Sequence, residues 1–429
     1  MLPARISKYL ASRALTGPWQ MSGVSGGEGS GGRFTGAVVI PALAEDARLF
    51  ATLRSLAHNP PEYLSRFLVV VVVNNREDAR PEDKADNLTT LSRLAAADPG
   101  LAPLRLAVID ASTPGRELPL DKGGVGLARK IGFDAALPLL DFSSSEPILV
   151  ALDADTLVQP DYLPALVRHF RSATAGGAVI PFRHQPGDTP GEREAILRYE
   201  LYLRSYVLGL SAAGSPYAFH TVGSAMACTA AAYAGIGGMN TRQAAEDFYF
   251  LQQLRKTAGI AEVAGTVVHP SARSSHRVPF GTGRSVSRLL AGEQEAVLFY
   301  RTECFAVLRA WLSLVATGLD CGARQLRGHA DGISRELGDY LDGIRFEEAW
   351  EKLRGNNRDR SSLLAAFHGW FDALRTMRLI HHLSAGPLPR GAAHDLLPDL
   401  LRWTGHEPPA DPAGQLCLLR RLQSQPAVS

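Results

Sequence analysis

Two hydrophobic periods alternate along the first half of the chain. AVVIP from Ala37, FLVVVVVNN from Phe67, LRLAVID (Leu104–Asp110) and PILVALD from Pro147 are short, nearly unbroken apolar runs. Such runs, rich in β-branched residues, predict strands buried on both faces of a parallel sheet. Between them Leu49, Leu53 and Leu56 recur at helical spacing, and GGVGLARKIGFDAALPLL opens on glycines before continuing as a helix. Strands alternating with helices in this way predict a doubly wound α/β sheet. Ligands of such sheets bind beyond the carboxyl ends of the strands. Asn74, Asn75, Asp110 and the pair Asp153 and Asp155 all fall at those ends.

After Gly176 the pattern changes. AVIPF reads as a further strand, Glu192–Leu210 as a long helix, AEDFYFLQQLRK as another helix and AEVAGTVVHP as a return to strand. From about Leu289 onward only helical periodicity is visible. SGVSGGEGSGG (Ser22–Gly32) has the composition of a flexible linker, so regular structure is expected to begin at Ala37. Three segments follow: a leader and linker over 1–36, an α/β domain over 37–288 and a helical region over 289–429. Residues 2–15 have two readings, a basic amphipathic helix lying on an anionic membrane or a loosely docked leader. The tyrosine row Tyr199, Tyr202 and Tyr206 reads as packing ahead of a sugar platform.

Composition narrows the function. With 429 residues and 45% hydrophobic content, a large core is easily built. Basic and acidic residues nearly cancel, 45 against 43, which argues against a nucleic-acid binder that needs a strong basic field. The cysteines Cys228, Cys304, Cys321 and Cys417 lie far apart and form no CxxC pair, so they read as reduced thiols of a cytoplasmic protein. No apolar run reaches the length of a membrane span.

Asp153-Ala154-Asp155 carries the sharpest chemistry. Two like charges at the end of a water-excluding strand repel each other unless a cation or a donor-rich loop compensates them. Carboxylate oxygens suit a hard divalent cation, Mg2+ or Mn2+, that bridges to phosphates; a solvated turn is the alternative. Other phosphate chemistries fit less well. A haloacid-dehalogenase-type phosphatase expects Thr or Val where Leu157 stands, and places its pair in the first strand. GGVGLAR lacks the third glycine of a dinucleotide loop at Arg129, and no GK[ST] follows to make a P-loop. Nucleotidyltransferases place their glycine-rich run after the first strand, not the third.

AVVIPALAED, VVVVNN, GGVGLARKIGFDAA, ALDADT, GSAMACTAAAYAGIGGMN and AAEDFYFLQQL occur in this order over roughly Ala37 to Arg288. With them the chain resembles the family 2 glycosyltransferases of the GT-A fold. That resemblance implies a nucleotide base and ribose held at the first two strand ends, by Pro41, Glu45, Asn74 and Asn75, with Asp110 at the third strand end a further nucleotide-sugar candidate. It implies ribose and metal–diphosphate at Asp153 and Asp155 with Ala154 between them, an acceptor side at Gly223 and Ser224, and a catalytic base at Asp247 of the Glu246-Asp247 pair. The chain departs from the family in reading Ala44 before Glu45 and Asn74-Asn75 where an aspartate is common. The Gln-x-x-Arg-Trp motif of processive synthases is absent after Arg277, which implies transfer of a single sugar.

Elementary chemistry agrees. Sugar transfer from a nucleotide diphosphate needs stabilisation of the departing diphosphate and a base for the acceptor hydroxyl. The other role open to Asp247 is that of an acid at a helix N-terminus. HPSARSSHRVPFGTGR (His269–Arg284) has the composition of a loop over phosphates, with Arg273, Arg277 or Arg284 as diphosphate partners. His269 is the candidate third metal ligand, with His276 as its rival. Lys122, Gly123 and Arg129 lie where they approach the nucleotide. The expectation is a cytoplasmic, Mn2+- or Mg2+-dependent inverting transferase using a UDP-, GDP- or dTDP-sugar. A retaining GT-A enzyme and a non-catalytic nucleotide-sugar-binding protein are the alternatives.

Overall fold

The computed structural model describes residues 2–23, 34–96, 98–274 and 281–423. It divides into two compact units, one of 1–187 with 221–284 and the other of 188–220 with 285–429.

The apolar runs of the first unit become its sheet. β1 is Met21–Ser22, β2 Gly36–Ala42, β3 Phe67–Asn74, β4 Arg105–Ala111, β5 Ile148–Ala151, β6 Leu157–Val158, β7 Gly177–Val179, β8 Met226–Thr229, β9 Ile260–Glu262 and β10 Val268–His269. Eight of them form one sheet in the order β1-β4-β3-β2-β5-β8-β7-β9, while β6 and β10 form an antiparallel pair. Strands β4, β3, β2 and β5 run parallel. Their side chains explain why: Val69 to Val73 are all at most 1% exposed, as strands covered on both faces must be. The strip β5-β8-β7 is antiparallel, so the sheet is mixed, and β8 is a strand that sequence patterning passed over.

α1 Ala4–Ser12 precedes β1, and between strands lie α2 Asp46–Ala57, α3 Pro61–Leu64, α4 Pro81–Ala95, α5 Val125–Ala136 and α6 Tyr162–Ser172. The chain leaves β2 towards β3 and β4 on one side, then returns to place β5 on the other. The carboxyl ends of β2 and β5 therefore border the switch point of the sheet, where a crevice opens in such folds.

Regular structure begins well before Ala37, contrary to expectation. Ile6 and Tyr9 of α1 are 1% and 3% exposed, so the apolar face that a membrane would take is already buried in protein. Tyr9 Oη donates to Oδ1 of Asp134 at 2.7 Å and accepts from Nζ of Lys130 at 2.6 Å. The backbone N–H of Leu15 donates to Oδ2 of the same carboxylate at 3.0 Å. A buried Lys–Asp pair supplies the docking point, which hydrophobic periodicity does not register. The linker lies mostly outside the described residues.

A second difference concerns AEVAGTVVHP, expected as one strand. Gly265, at φ +81°, turns the chain between β9 and β10, which belong to different sheets. Beyond α7 (Pro190–Ala212), α8 (Ala230–Gly235) and α9 (Glu246–Thr257), the described chain from Thr302 to Gln423 contains helices and no strand. The second unit comprises α7 with these helices. Tyr202 and Tyr206 pack there among Phe299, Tyr300 and Phe305, which is the packing role expected for the tyrosine row.

Candidate functional site

Two chain reversals bring acids to the switch point. After β2 the chain turns through Ala44 at φ +52°, and α2 follows directly on Glu45. Before α9 it turns through Ala245 at φ +57°, placing Glu246 and Asp247 in the first turn. Left-handed alanines are strained, and both immediately precede a site acid. Each turn is tied down by asparagine: Asn87 Oδ1 accepts from the Ala44 N–H at 2.9 Å, and Asn240 donates to the Glu246 carbonyl at 2.8 Å.

Arg129, on α5, is 2% exposed and donates one amino group to Glu246 and the other to Asp153. Arg273 donates through Nε to Oδ2 of Asp155 at 3.1 Å and through an amino group to Glu45. Five carboxylates, Glu45, Asp153, Asp155, Glu246 and Asp247, thus gather around two guanidiniums. Negative charge is in excess, and the titration of the acids reflects it. Burial, with repulsion from Glu246, pushes Asp247 up to about 7 despite the opposing pull of Arg129. Burial likewise raises Asp153, aided by Asp155 and opposed by Arg129.

A divalent cation fits this donor set, because hard carboxylate oxygens in surplus over their cationic partners are what Mg2+ or Mn2+ binds. Asp153 and Asp155 would hold it. His269 lies opposite Leu157 in the β6–β10 pair, and its Nδ1 is 3.1 Å from the Arg183 carbonyl. Among the described residues no group of three His, Cys, Asp or Glu side chains converges closely enough to hold a metal. His276 and Arg277 lie outside the described residues.

The remaining candidates divide. Asn74 and Asn75 are 4% and 2% exposed, and both donate to backbone carbonyls: Asn74 to Ala42 and Val72, Asn75 to Arg76 and Ser112. They staple strand ends together. Burial works to raise Asp110, but hydrogen bonds from Ser112 and Thr113 outweigh it and hold the carboxyl below its usual range. Pro41 lies within β2 opposite Val72, and Ala154 is buried with its carbonyl accepting from Thr52 at 2.9 Å. Lys122 is exposed and Gly123 buried.

Gly124 and Gly126 of GGVG serve close packing against the turn before α9. A Cβ at Gly126 would stand 2.6 Å from the Arg242 carbonyl oxygen and 2.7 Å from that of Asn240. A Cβ at Gly223 would stand 2.5 Å from Nη2 of Arg129. Ser224 is 1% exposed, and its Oγ has no hydrogen-bond partner.

Two site residues were missed in the sequence. Asn87, mid-helix in α4, also donates to the Asn74 carbonyl and to Oδ1 of Asn75. Gln185 donates to the backbone carbonyls of Asp155 and His269 at 3.0 and 2.7 Å. Neither belongs to a motif, so only the folded chain identifies them.

No protein-family model matches the chain, and no curated protein does. Among solved structures it is similar to TarS of S. aureus in complex with UDP-GlcNAc, at 14% identity and TM-score 0.37, over 63% of this chain and 70% of that one. It is similar to the mannosyltransferase PcManGT of Pyrobaculum calidifontis with GDP-Man and Mn2+, at 14% identity and TM-score 0.36, over 98% and 92%. GalNAc-T7 with UDP, GalNAc and Mn2+ aligns at 17% identity and TM-score 0.33, over 56% of this chain and 44% of that one.

Proposed function

We propose that this protein is a glycosyltransferase of the GT-A, family 2 type. It would move one sugar from a nucleotide-diphosphate sugar to an acceptor hydroxyl, with inversion. The observation that carries the reading is the meeting of Glu45, Asp153, Asp155, Glu246 and Asp247 at the switch point of an α/β sheet. A surplus of acids in a crevice suits a ligand that arrives as a diphosphate with a divalent cation. That cation, Mn2+ or Mg2+, supplies charge stabilisation for the departing diphosphate when bound.

The chain's own groups do the rest. Asp153 and Asp155 orient the donor side. Arg273, 23% exposed at its side chain, is accessible enough to exchange a carboxylate for a phosphate oxygen, which its fork matches equally well. Asp247 takes the acceptor proton. Its elevation to about 7 suits a base, since proton transfer is most effective when the pKa lies near the working pH.

A thermal-shift screen of UDP-, GDP- and dTDP-sugars, with and without Mn2+, tests the reading. Binding to the folded state raises the melting temperature, by about 2.7 kcal/mol of stabilisation at a hundredfold excess over Kd. No shift with any donor in Mn2+ would overturn it. A non-catalytic binding protein is favoured by one observation, the arginine already seated on each of Asp153 and Asp155. Donor binding without turnover across acceptors would select that reading.

A further inference from the structure

Arg129 lies next to the candidate chemistry and yet is nearly sealed from solvent, at 2% exposure. A guanidinium that greets a nucleotide needs a free edge. Here one amino group is committed to Glu246 and the other to Asp153, while Nε is buried without a hydrogen-bond partner. Asp153 gives Oδ1 to Arg129, but its side chain is still 36% exposed, so a ligand can reach the carboxylate from outside. Glu246, on the other arm, is 6% exposed and precedes Asp247 in the first turn of α9.

Gly223 makes this arrangement possible. A Cβ at that position would stand 2.5 Å from Nη2 of Arg129 and 3.2 Å from its Cζ, so any side chain there pushes the guanidinium off Asp153. Gly126, three residues before Arg129 on α5, lets the helix press against the Asn240–Glu246 turn, where its absent Cβ would lie 3.0 Å from Cβ of Glu246.

We propose that Arg129 is a positioning residue, a buried brace that aims Asp153 outward and joins it to the end of α9 that carries Asp247. Its interest rests on the transferase reading above. A brace of this kind fixes a ligating carboxylate by holding its other oxygen, and losing such a partner typically weakens metal binding by about 10–100-fold. It also makes the donor side and the base side move as one body. Leaving the buried Glu246 and its half-buried neighbour Asp153 without their shared cation is costly, so removal of Arg129 alone risks unfolding. Gly223→Ala keeps every charge and disturbs only the contact.

Two measurements on the full chain decide the matter, with Arg129→Lys and Gly223→Ala beside the unaltered protein and folding checked by circular dichroism. The first is amide exchange at 246–249 without ligand. The second is Mn2+ affinity by electron paramagnetic resonance in the presence of UDP or GDP. The brace requires faster exchange at 246–249 in both variants and Mn2+ binding weakened by about 10–100-fold. Unchanged exchange there in Gly223→Ala overturns the brace, whatever the metal does. Faster exchange with undiminished Mn2+ affinity reduces Arg129 to a structural tie and overturns its positioning role. Absence of Mn2+ binding by the unaltered protein overturns the metal-dependent part of the transferase reading instead, while the exchange result still decides whether Arg129 joins the two sides.

Discussion

Arg273 sits on Asp155, its Nε 3.1 Å from Oδ2, and its other arm reaches Glu45 across the switch point between β5 and β2. One mobile-length side chain thus holds the second acid of the Asp153-Asp155 pair. A cation bound at Asp155 would compete with Arg273 for that oxygen. Arg273→Ala is expected to leave Mn2+ binding in the absence of nucleotide intact or tighter, and to weaken nucleotide-diphosphate binding by about tenfold, one charge-assisted pair. Isothermal titration with Mn2+, then with UDP or GDP, measures both. Loss of Mn2+ binding in Arg273→Ala would contradict the competition.

Asp155→Ala removes a carboxylate that is 22% exposed at its side chain, so little packing is lost. Thermal stability without ligand should change little, whereas the stabilisation by donor plus Mn2+ should vanish. EDTA on the unaltered protein should have the same effect on the ligand-induced shift. A full shift in the presence of EDTA would remove the cation from the proposal.

Asp247→Asn keeps shape and removes basicity. If Asp247 is the base, its loss should cost about a hundredfold to ten-thousandfold in kcat, with donor affinity unchanged because a base for the acceptor hydroxyl would act on the acceptor side. Near-normal turnover would shift attention to a retaining mechanism.

The same residue makes a stability prediction. Folding raises the Asp247 carboxyl to about 7 from the ordinary carboxylate range near 4. Its contribution to stability is therefore fully present below pH 4 and lost as pH rises through about 7. At pH 8 the unaltered protein holds an unfavourable, poorly solvated charge beside Glu246. Asp247→Asn should melt at a higher temperature than the unaltered protein at pH 8, with the gap closing towards pH 4. Differential scanning calorimetry across that range would show it, and a gap that is independent of pH would reject the assignment.

Tyr9 anchors the leader through Asp134 and Lys130. Tyr9→Phe should cost about 1–3 kcal/mol, since Asp134 is 6% exposed and loses a buried donor. Faster trypsin cleavage at Arg5, Lys8 and Arg13 would report the loosened helix.

The legible part of this fold is the part built by hydrophobic area. Runs such as Val69–Val73 announce their strands because burial on two faces leaves no polar position to confuse the period. Asp153 and Asp155 stand out in the chain because charge at a strand end is costly enough to mean something, whereas Glu45, Glu246 and Asp247 are singled out only by the family resemblance. The docking of α1 was not legible, since it depends on one buried Lys130–Asp134 pair 3.0 Å apart, which hydrophobic patterning does not reveal. Likewise, the hydrogen bonds of Asn74 and Asn75 to backbone carbonyls at the strand ends are set by the fold. The sequence shows that an amide is present at a strand end but not which carbonyl it meets. Arg129 was visible as a basic residue near a nucleotide; its burial, and the space Gly223 clears for it, exist only once the turn before α9 has closed.

β1 has a further consequence, for self-association. Its two residues pair antiparallel with Val108 and Ile109 along the outer edge of β4. A bare edge strand offers its N–H and C=O groups to any other chain. A protein trimmed to start at Ala37, where the apolar pattern suggests the domain begins, would lose that cap and open a ladder to neighbouring molecules. The stretch before the glycines would then matter less for sugar chemistry than for keeping one copy of the sheet from stacking onto the next.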